Sequence, residues 1–365
     1  MLRKTYLLVL ALFAGLYATT SSAQIFDIQV TDYGSIPAGA LRTFVDQQIQ
    51  TAENSINKDF PSGAPDRLME GMANSSVMAG KGIGTDYASN MSVFLIGAGV
   101  GVGADLAKPA GTDSPISGVG VAPGVIVGFN LGFLDTKSIL GMDTDRLNLY
   151  FNFMSYDMSK KMGDPGKESE IDLSTLAYGT HVRYDWIKGS GNKLLGWGGV
   201  KLNFGFEYNK TTFGFKSKIN ESIDQTATTN ERIKGTISGS PEASILANTT
   251  SIPLALSTDI QLLYFVSIYT GAGVDYNMGQ AKGKGELNGN NSTLTCTGGT
   301  LCSTPTSITV KPAANLNTTA KVEPFLYRAF AGVQFNLPWT RIFVQVDKSL
   351  SNDLIGATAG LRFAF

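Results

Sequence analysis

The sequence predicts an all-β fold, a transmembrane antiparallel up-and-down β-barrel of about 10–12 strands with an N-terminal helical plug. Three observations lead there. Alternating apolar and polar residues recur to the last residue of the chain, a secretory-type leader opens it, and no later segment is long and apolar enough to be a membrane helix. A bilayer can then be crossed only by a closed barrel, because every backbone polar group must find a partner inside it.

The leader comes first. Arg3 and Lys4 precede an apolar run from Tyr6 to Tyr17, and Ser21-Ser22-Ala23 offers small residues before Gln24. This reads as a signal peptide over residues 1–23, too short to span as a helix. No cysteine follows the cleavage site, which excludes a lipid anchor there.

Residues 24–90 form a separate helical segment ahead of the barrel at 91–365. Leu41, Val45, Ile49, Ala52 and Ile56 line one side of a helix, with Asp46, Gln47, Gln50, Glu53 and Asn57 opposite. A second short helix is expected from Pro65 to about Val77. This segment is either a periplasmic subdomain or a plug inside the barrel.

The first two barrel strands favour the plug. From Ser92 to Ala104, Phe94, Ile96, Ala98, Val100 and Val102 point outward, leaving Gly97, Gly99, Gly101 and Gly103 inside. From Gly118 to Phe133 the outward set runs Val119, Val121, Pro123, Val125, Val127, Phe129, Leu131 and Phe133. Gly118, Gly120, Gly124 and Gly128 then face inward. Glycine in a strand marks close approach by another backbone, so the paved faces make a trough for a helix. Barrel curvature alone is the competing reading.

The third strand has Leu147, Leu149, Phe151 and Phe153 on one side, and the fourth turns Leu176, Tyr178, Thr180, Val182, Tyr184 and Trp186 to lipid. The fifth alternates Val200, Leu202, Phe204, Phe206 and Tyr208 with Lys201, Asn203, Gly205 and Glu207. Further strands begin near Ile252, Val266, Phe325 and Ile342, and the tenth runs from Ile355 to Phe365. A hairpin hidden in 211–250 would make twelve. Short links near Gly189–Asn192, Leu263–Phe265 and Leu337–Thr340 alternate with long polar ones near 158–170, 211–250 and 280–320. With both termini periplasmic, every long loop lands outside and the strand count is even.

On these residues the chain resembles Gram-negative outer-membrane β-barrel proteins. The carriers are the signal peptide, Ile252-Pro-Leu-Ala-Leu, Tyr269-Thr-Gly-Ala-Gly-Val-Asp-Tyr276 and the terminal Arg362-Phe-Ala-Phe365. The resemblance implies that Phe365 belongs to the signal read by the barrel-assembly machinery, and that the protein resides in the outer membrane, solvated by its lipid. Asn74-Ser-Ser-Val-Met-Ala-Gly-Lys-Gly-Ile-Gly resembles spirochaete surface barrels such as the leptospiral adhesins, which implies binding of host matrix or plasma proteins through the outer loops.

Candidate chemistry is sparse. Cys296 and Cys302 sit close together in a polar segment; an oxidising compartment makes a local disulfide of them, the other reading being two free thiols. One histidine in the whole chain argues against a metal site, and no cofactor motif stands. Gly99-Val-Gly101-Val-Gly103-Ala104 has the spacing of a dinucleotide fingerprint but lacks the helix that would face the pyrophosphate. Net charge of −1 leaves no basic patch for nucleic acid. His181, Arg183 and Asp185 share a strand face, with Lys201 and Glu207 on the next strand. They read as an ionic network lining the lumen, and a catalytic constellation is the weaker alternative. The expected role is display of surface loops for adhesion, ligand binding or envelope structure, by a protein that is not an enzyme. The alternative is a plugged channel for small or hydrophobic solutes.

Overall fold

The computed structural model describes residues 26–365 apart from 35–37, 40–41, 48, 52–64, 89–92, 108–116, 135, 163–168, 192–193, 227–231, 289–291 and 299–301. The leader and its cleavage site lie outside the described residues. So do Leu41, Ala52, Glu53, Ile56 and Asn57 of the first expected helix, whose residues 42–47 and 49–51 are helical with Val45 and Ile49 buried.

After β1 (Phe26–Asp32) and a helix α1 (Pro65–Ala79) come β2 (Phe94–Asp105), β3 (Gly118–Asn130), two short strands β4 (Ser138–Ile139) and β5 (Met142–Asp143), and β6 (Leu147–Met162). Then follow β7 (Ser169–Gly191), β8 (Leu195–Ser217), β9 (Ile219–Thr226), β10 (Arg232–Leu262), β11 (Val266–Asn288), β12 (Ser292–Gly298) and β13 (Cys302–Lys321). The chain ends with β14 (Phe325–Asn336), β15 (Thr340–Ser349) and β16 (Leu354–Ala364). β2, β3, β6, β7, β8, β10, β11, β14, β15 and β16 pair with their neighbours in that order, all antiparallel. β16 returns to β2 from Leu354↔Asp105 to Ala364↔Leu95 and closes the ring.

Ten strands therefore form the barrel, and the hairpin in 211–250 does not enter it. β9 pairs only with the far end of β10. Two further expectations are corrected. The second barrel strand stops at Asn130, whose side chain caps a 3-10 turn, so Leu131 and Phe133 belong to that turn. The stretches expected as long polar loops are largely strand: β8 runs to Ser217 and β10 begins at Arg232.

About 9–11 residues suffice for a strand to cross a membrane. β7, β8 and β11 have 23 residues each and β10 has 31. Their excess stands beyond one end of the membrane belt, where β9, β12 and β13 join them as an outer extension. β1 also joins it, pairing with β13 from Phe26↔Ala314 to Asp32↔Thr309. The N-terminal strand thus lies at the end of the barrel opposite Phe365, which corrects the expectation of two periplasmic termini. β2 starts beside Phe365, whose amide donates to the Phe94 carbonyl at 2.9 Å.

The lipid belt follows from the alternation. Phe151, Phe204, Leu254, Tyr327, Val344 and Phe363 are exposed on the outer wall, while Tyr150, Asn203, Arg328, Gln345 and Arg362 between or beside them are buried inside. Trp186, Trp197 and Trp339 are exposed near the end with short turns, as an interfacial aromatic girdle requires.

Candidate functional site

α1 starts at Pro65, where a missing amide costs nothing, and ends at Ala79, just before Gly80. Gly71, Ser75 and Ala79 recur every four residues and make one smooth stripe. That stripe meets the glycine faces of β2 and β3. A side chain at Gly101 would strike the Ala79 carbonyl, one at Gly103 the Ser75 carbonyl and Ala79 amide, one at Gly118 the Gly71 backbone, and one at Gly120 the backbone of Ser75 and Ser76. Ser75 Oγ donates to the Gly118 carbonyl at 2.9 Å. The other side of α1, with Met69, Ala73, Val77 and Met78, packs on Ala247, Ala281, Leu326 and Leu354.

The remaining glycines of the expected trough have other neighbours. Gly124 faces Ile83, Gly97 faces Leu361 and Arg362, and Gly99 faces Ala359 and Phe343. Gly128 is buried in register between Leu95 and Tyr150.

Below α1 the buried segment from Lys81 to Ala88 crosses the lumen, bending at Gly82, whose φ of +82° suits glycine. It carries one cation and one anion, and the wall answers both. Lys81 Nζ donates to Glu207 Oε2 at 2.7 Å and to Ser251 Oγ at 2.8 Å, with Asp275 at 3.4 Å. Arg328 bridges Asp275 and Asp347, 2.9 Å from each. Asp86 lies 3.3 Å from Arg362 and 3.6 Å from Arg341. Arg183 donates to the Asp86 carbonyl at 2.5 Å, and Lys201 to the Tyr87 carbonyl at 3.0 Å and to Asp259 at 2.5 Å.

The five expected lumen residues are thus distributed over two layers. His181 and Glu207 approach to 3.5 Å in the layer of Lys81, whereas Arg183, Asp185 and Lys201 lie in the layer of Asp86. Among the described residues, Lys81, Arg183, Lys201, Arg328, Arg341 and Arg362 are six cations facing six carboxylates in these layers, Asp86, Asp185, Glu207, Asp259, Asp275 and Asp347. Charge balance is what lets such groups leave water. Sequence reading missed Arg328, Arg362, Asp259, Asp275 and Asp347, although each occupies an inward position on a strand already recognised. It also missed Lys81 and Asp86, because no strand period marks them.

Little space is left for a substrate. A pocket between α1 and the wall, lined by Val77, Ile83, Asn152, Glu207 and Ser251, holds about 20 Å³, room for a water. A lysine clasped by carboxylates is not a free base, and His181 is buried away from solvent. Among the described residues no cluster of three or more His, Cys, Asp or Glu is arranged to hold a metal.

Outside the belt, Ile233, Leu294, Cys296, Ile308 and Val310 are fully buried in the extension. Ile233 opposes Cys296, Leu294 opposes Ile308, and Val310 opposes Val30 of β1. Cys302 opposes Gly298 across the same hairpin. At the tip of the β9–β10 hairpin, Arg232 forks onto both Asp224 oxygens at 2.6 Å and holds that carboxyl below its usual range.

The Lsa36-like family model matches residues 21–365. The chain belongs to the Lsa36-like family. That family is named for a leptospiral surface adhesin, and its member here is an outer-membrane β-barrel. No curated protein matched. Among solved structures the chain is similar to the transport unit of the Escherichia coli autotransporter AIDA-I, at 9% identity and TM-score 0.32, covering 80% of this chain and 96% of that one. The E. coli outer membrane protease OmpT aligns at 8% identity and TM-score 0.32 over 77% and 99%. Ail, the attachment invasion locus protein of Yersinia pestis, aligns at 11% and 0.22 over 75% and 100%. Values this low leave the family match and the geometry to carry the assignment.

Proposed function

We propose that this Lsa36-like barrel displays its outer β-extension to bind a host or environmental protein, and that residues 65–88 act as a plug. One observation carries the reading: four strands run on for a membrane width beyond the belt and are tied there by β9, β12, β13 and β1. A barrel whose task ended at the membrane would gain nothing from such a platform. Its long exposed edges suit recognition of an extended or flat protein surface. The family's adhesin namesake points the same way. The ion pairs gripping residues 81–86 support a closed lumen over the channel alternative, and the burial of His181 supports a non-enzymatic role.

Three details accompany this reading. Residues 1–23 are a cleaved signal peptide, Cys296 and Cys302 form a disulfide that staples the β12–β13 hairpin, and Phe365 carries the signal for the assembly machinery. The test is binding of the purified protein in liposomes to a panel of matrix and plasma proteins. A version with 219–239 and 289–312 replaced by short turns serves as comparison. Binding that is lost in the shortened form supports display. Binding that is equal in both, or steady ion conductance by the intact protein, overturns it.

A further inference from the structure

The wall carries an unbalanced patch of charge where it leaves the membrane. On β11, Tyr276 and Met278 are the last apolar residues of the outer face, 41% and 44% exposed. The outward positions that follow them are Gln280, Lys282 and Lys284. On the neighbouring β13, Lys321 stands opposite Gln280, just ahead of Phe325, which is itself exposed to lipid. Lys282 opposes Thr319 and Lys284 opposes Asn317 in the same register. All three lysines are exposed, and they are the first charges past the belt on their strands.

The pleat sets their spacing. Lys282 and Lys284 lie two residues apart on one strand, about 7 Å, and Lys321 is the diagonal neighbour of Lys282 at roughly 7–8 Å. Like charges this close repel, and other cations of the outer wall have acids beside them. Lys216 lies 3.9 Å from Glu242, and Lys348 lies 3.8 Å from Asp353. Among the described residues Lys282, Lys284 and Lys321 have no such partner. Glu323, next along the chain from Lys321, accepts from Asn352 Nδ2 instead. Glu286 sits one outward position beyond Lys284, farther from the membrane and opposite Glu242. Across the barrel the sign reverses, with exposed Asp157 outward on β6. The patch is therefore local to β11 and β13.

We infer that Lys282, Lys284 and Lys321 form a clamp for the phosphate of an anionic lipid head group in the outer leaflet. Position selects the lipid. A lysine just past the apolar belt lays its stem along the wall and holds its ammonium group at head-group depth. Leu246, beside Lys282 in register, and Met278 below it give the first methylenes of the lipid an apolar seat. Three flexible ammonium groups at this spacing can converge on one phosphate, which lysine binds as a point charge. A soluble protein recognising the extension would meet it farther out, at β9 and β12.

Lipid retention by the full protein in detergent micelles, read by native mass spectrometry, tests this. The probes are diphosphoryl lipid A, phosphatidylglycerol and zwitterionic phosphatidylcholine, with inorganic phosphate as the soluble anion. The expected result is one anionic lipid held at about tenfold lower concentration than phosphatidylcholine. Preference for lipid A supports a glycolipid occupant, and preference for phosphatidylglycerol a phospholipid one. Lys282→Gln, Lys284→Gln and Lys321→Gln should each weaken retention about fivefold, the worth of one cation near an anionic surface. Lys216→Gln, whose charge Glu242 already answers, should change nothing. A gel run with and without heating shows that each variant is folded. Equal retention of anionic and zwitterionic lipid by the wild-type protein overturns the inference. So does displacement of the lipid by an equal concentration of inorganic phosphate, which would place a soluble anion there. Lysine variants that keep the lipid but lose binding to a matrix or plasma protein would give the patch to that protein and overturn it too.

Discussion

The same strands build two regions with opposite insides. Within the belt, β8 turns Leu202, Phe204 and Phe206 outward and Lys201, Asn203 and Glu207 inward; past Tyr208 it turns Lys210, Thr212 and Lys216 outward and Phe213 and Phe215 inward. β11 makes the same change, from Val274 and Tyr276 outside with Asp275 inside to Lys282 and Lys284 outside with Ala281 inside. Nothing in the backbone marks the switch, since the pleat continues with period two. What changes is the solvent. In hydrocarbon the wall must be apolar, so polar groups gather inside and must be paired there. In water the rule reverts to that of a soluble sandwich. The inversion therefore locates the outer membrane boundary to within a residue pair.

The two regions should fail differently, and the largest effect is expected in the lumen. Asp86→Ala leaves Arg362 and Arg341 facing no carboxylate in a buried layer. Breaking a buried ion pair from one side costs about 3–5 kcal/mol, so the temperature at which the barrel loses its compact gel mobility should fall clearly. An unchanged transition would mean that the lower layer does not grip the crossing segment.

Next comes a substitution whose cost should depend on region alone. Leu256→Lys puts a charge on the lipid face and should cost about 2–4 kcal/mol. Thr212→Lys, also outward but beyond the inversion, should stay within about 0.5 kcal/mol. Urea unfolding from lipid vesicles measures both. Equal costs would erase the boundary drawn at Tyr208.

A smaller effect belongs to the extension alone. If Cys296 and Cys302 are joined, reduction releases a loop whose closure is worth about 2 kcal/mol. Trypsin should then cut faster at Lys234, which pairs with Thr295 of β12, while the heat-modified mobility of the barrel stays fixed. Loss of barrel mobility on reduction would show the two regions to be one cooperative unit.

Much of this was legible in the chain, and the misses have a shared cause. Outward residues such as Phe204 and Val344 are read directly, because lipid demands an apolar side chain at every second position. The extension was taken for polar loop because its charged face looks outward and its apolar face is thinner, as with Thr211-Thr212-Phe213. Mean polarity hid a period that was still there, with its phase reversed. The crossing segment was less legible still. Gly80-Lys-Gly-Ile-Gly-Thr-Asp86 has no period, and its buried charges make sense only once Glu207, Asp275 and Arg362 arrive from strands far along the sequence. The position of β1 was unreadable for the same reason: its partner in β13 lies 280 positions away at Val30↔Val310 in antiparallel register, beyond any local signal.

The smallest effect is a matter of pH at the hairpin tip. Asp224 and Arg232 are both exposed, so solvent screens the pair. Arg232 nevertheless holds the Asp224 carboxyl below its usual value. A depressed carboxyl contributes its stabilisation fully above the unfolded pKa of about 3.9 and loses it as pH falls through the lower folded value. At neutral pH, then, Asp224→Asn should fray the β9–β10 tip and modestly raise hydrogen exchange at Ile233 and Lys234, without touching exchange in the belt. At a pH below the lowered folded value the variant and the parent should exchange alike, once the intrinsic rate is corrected, because the parent has lost the same charge. A difference that persists in acid would place the tip's order in backbone pairing, and the ion pair would then contribute nothing to it.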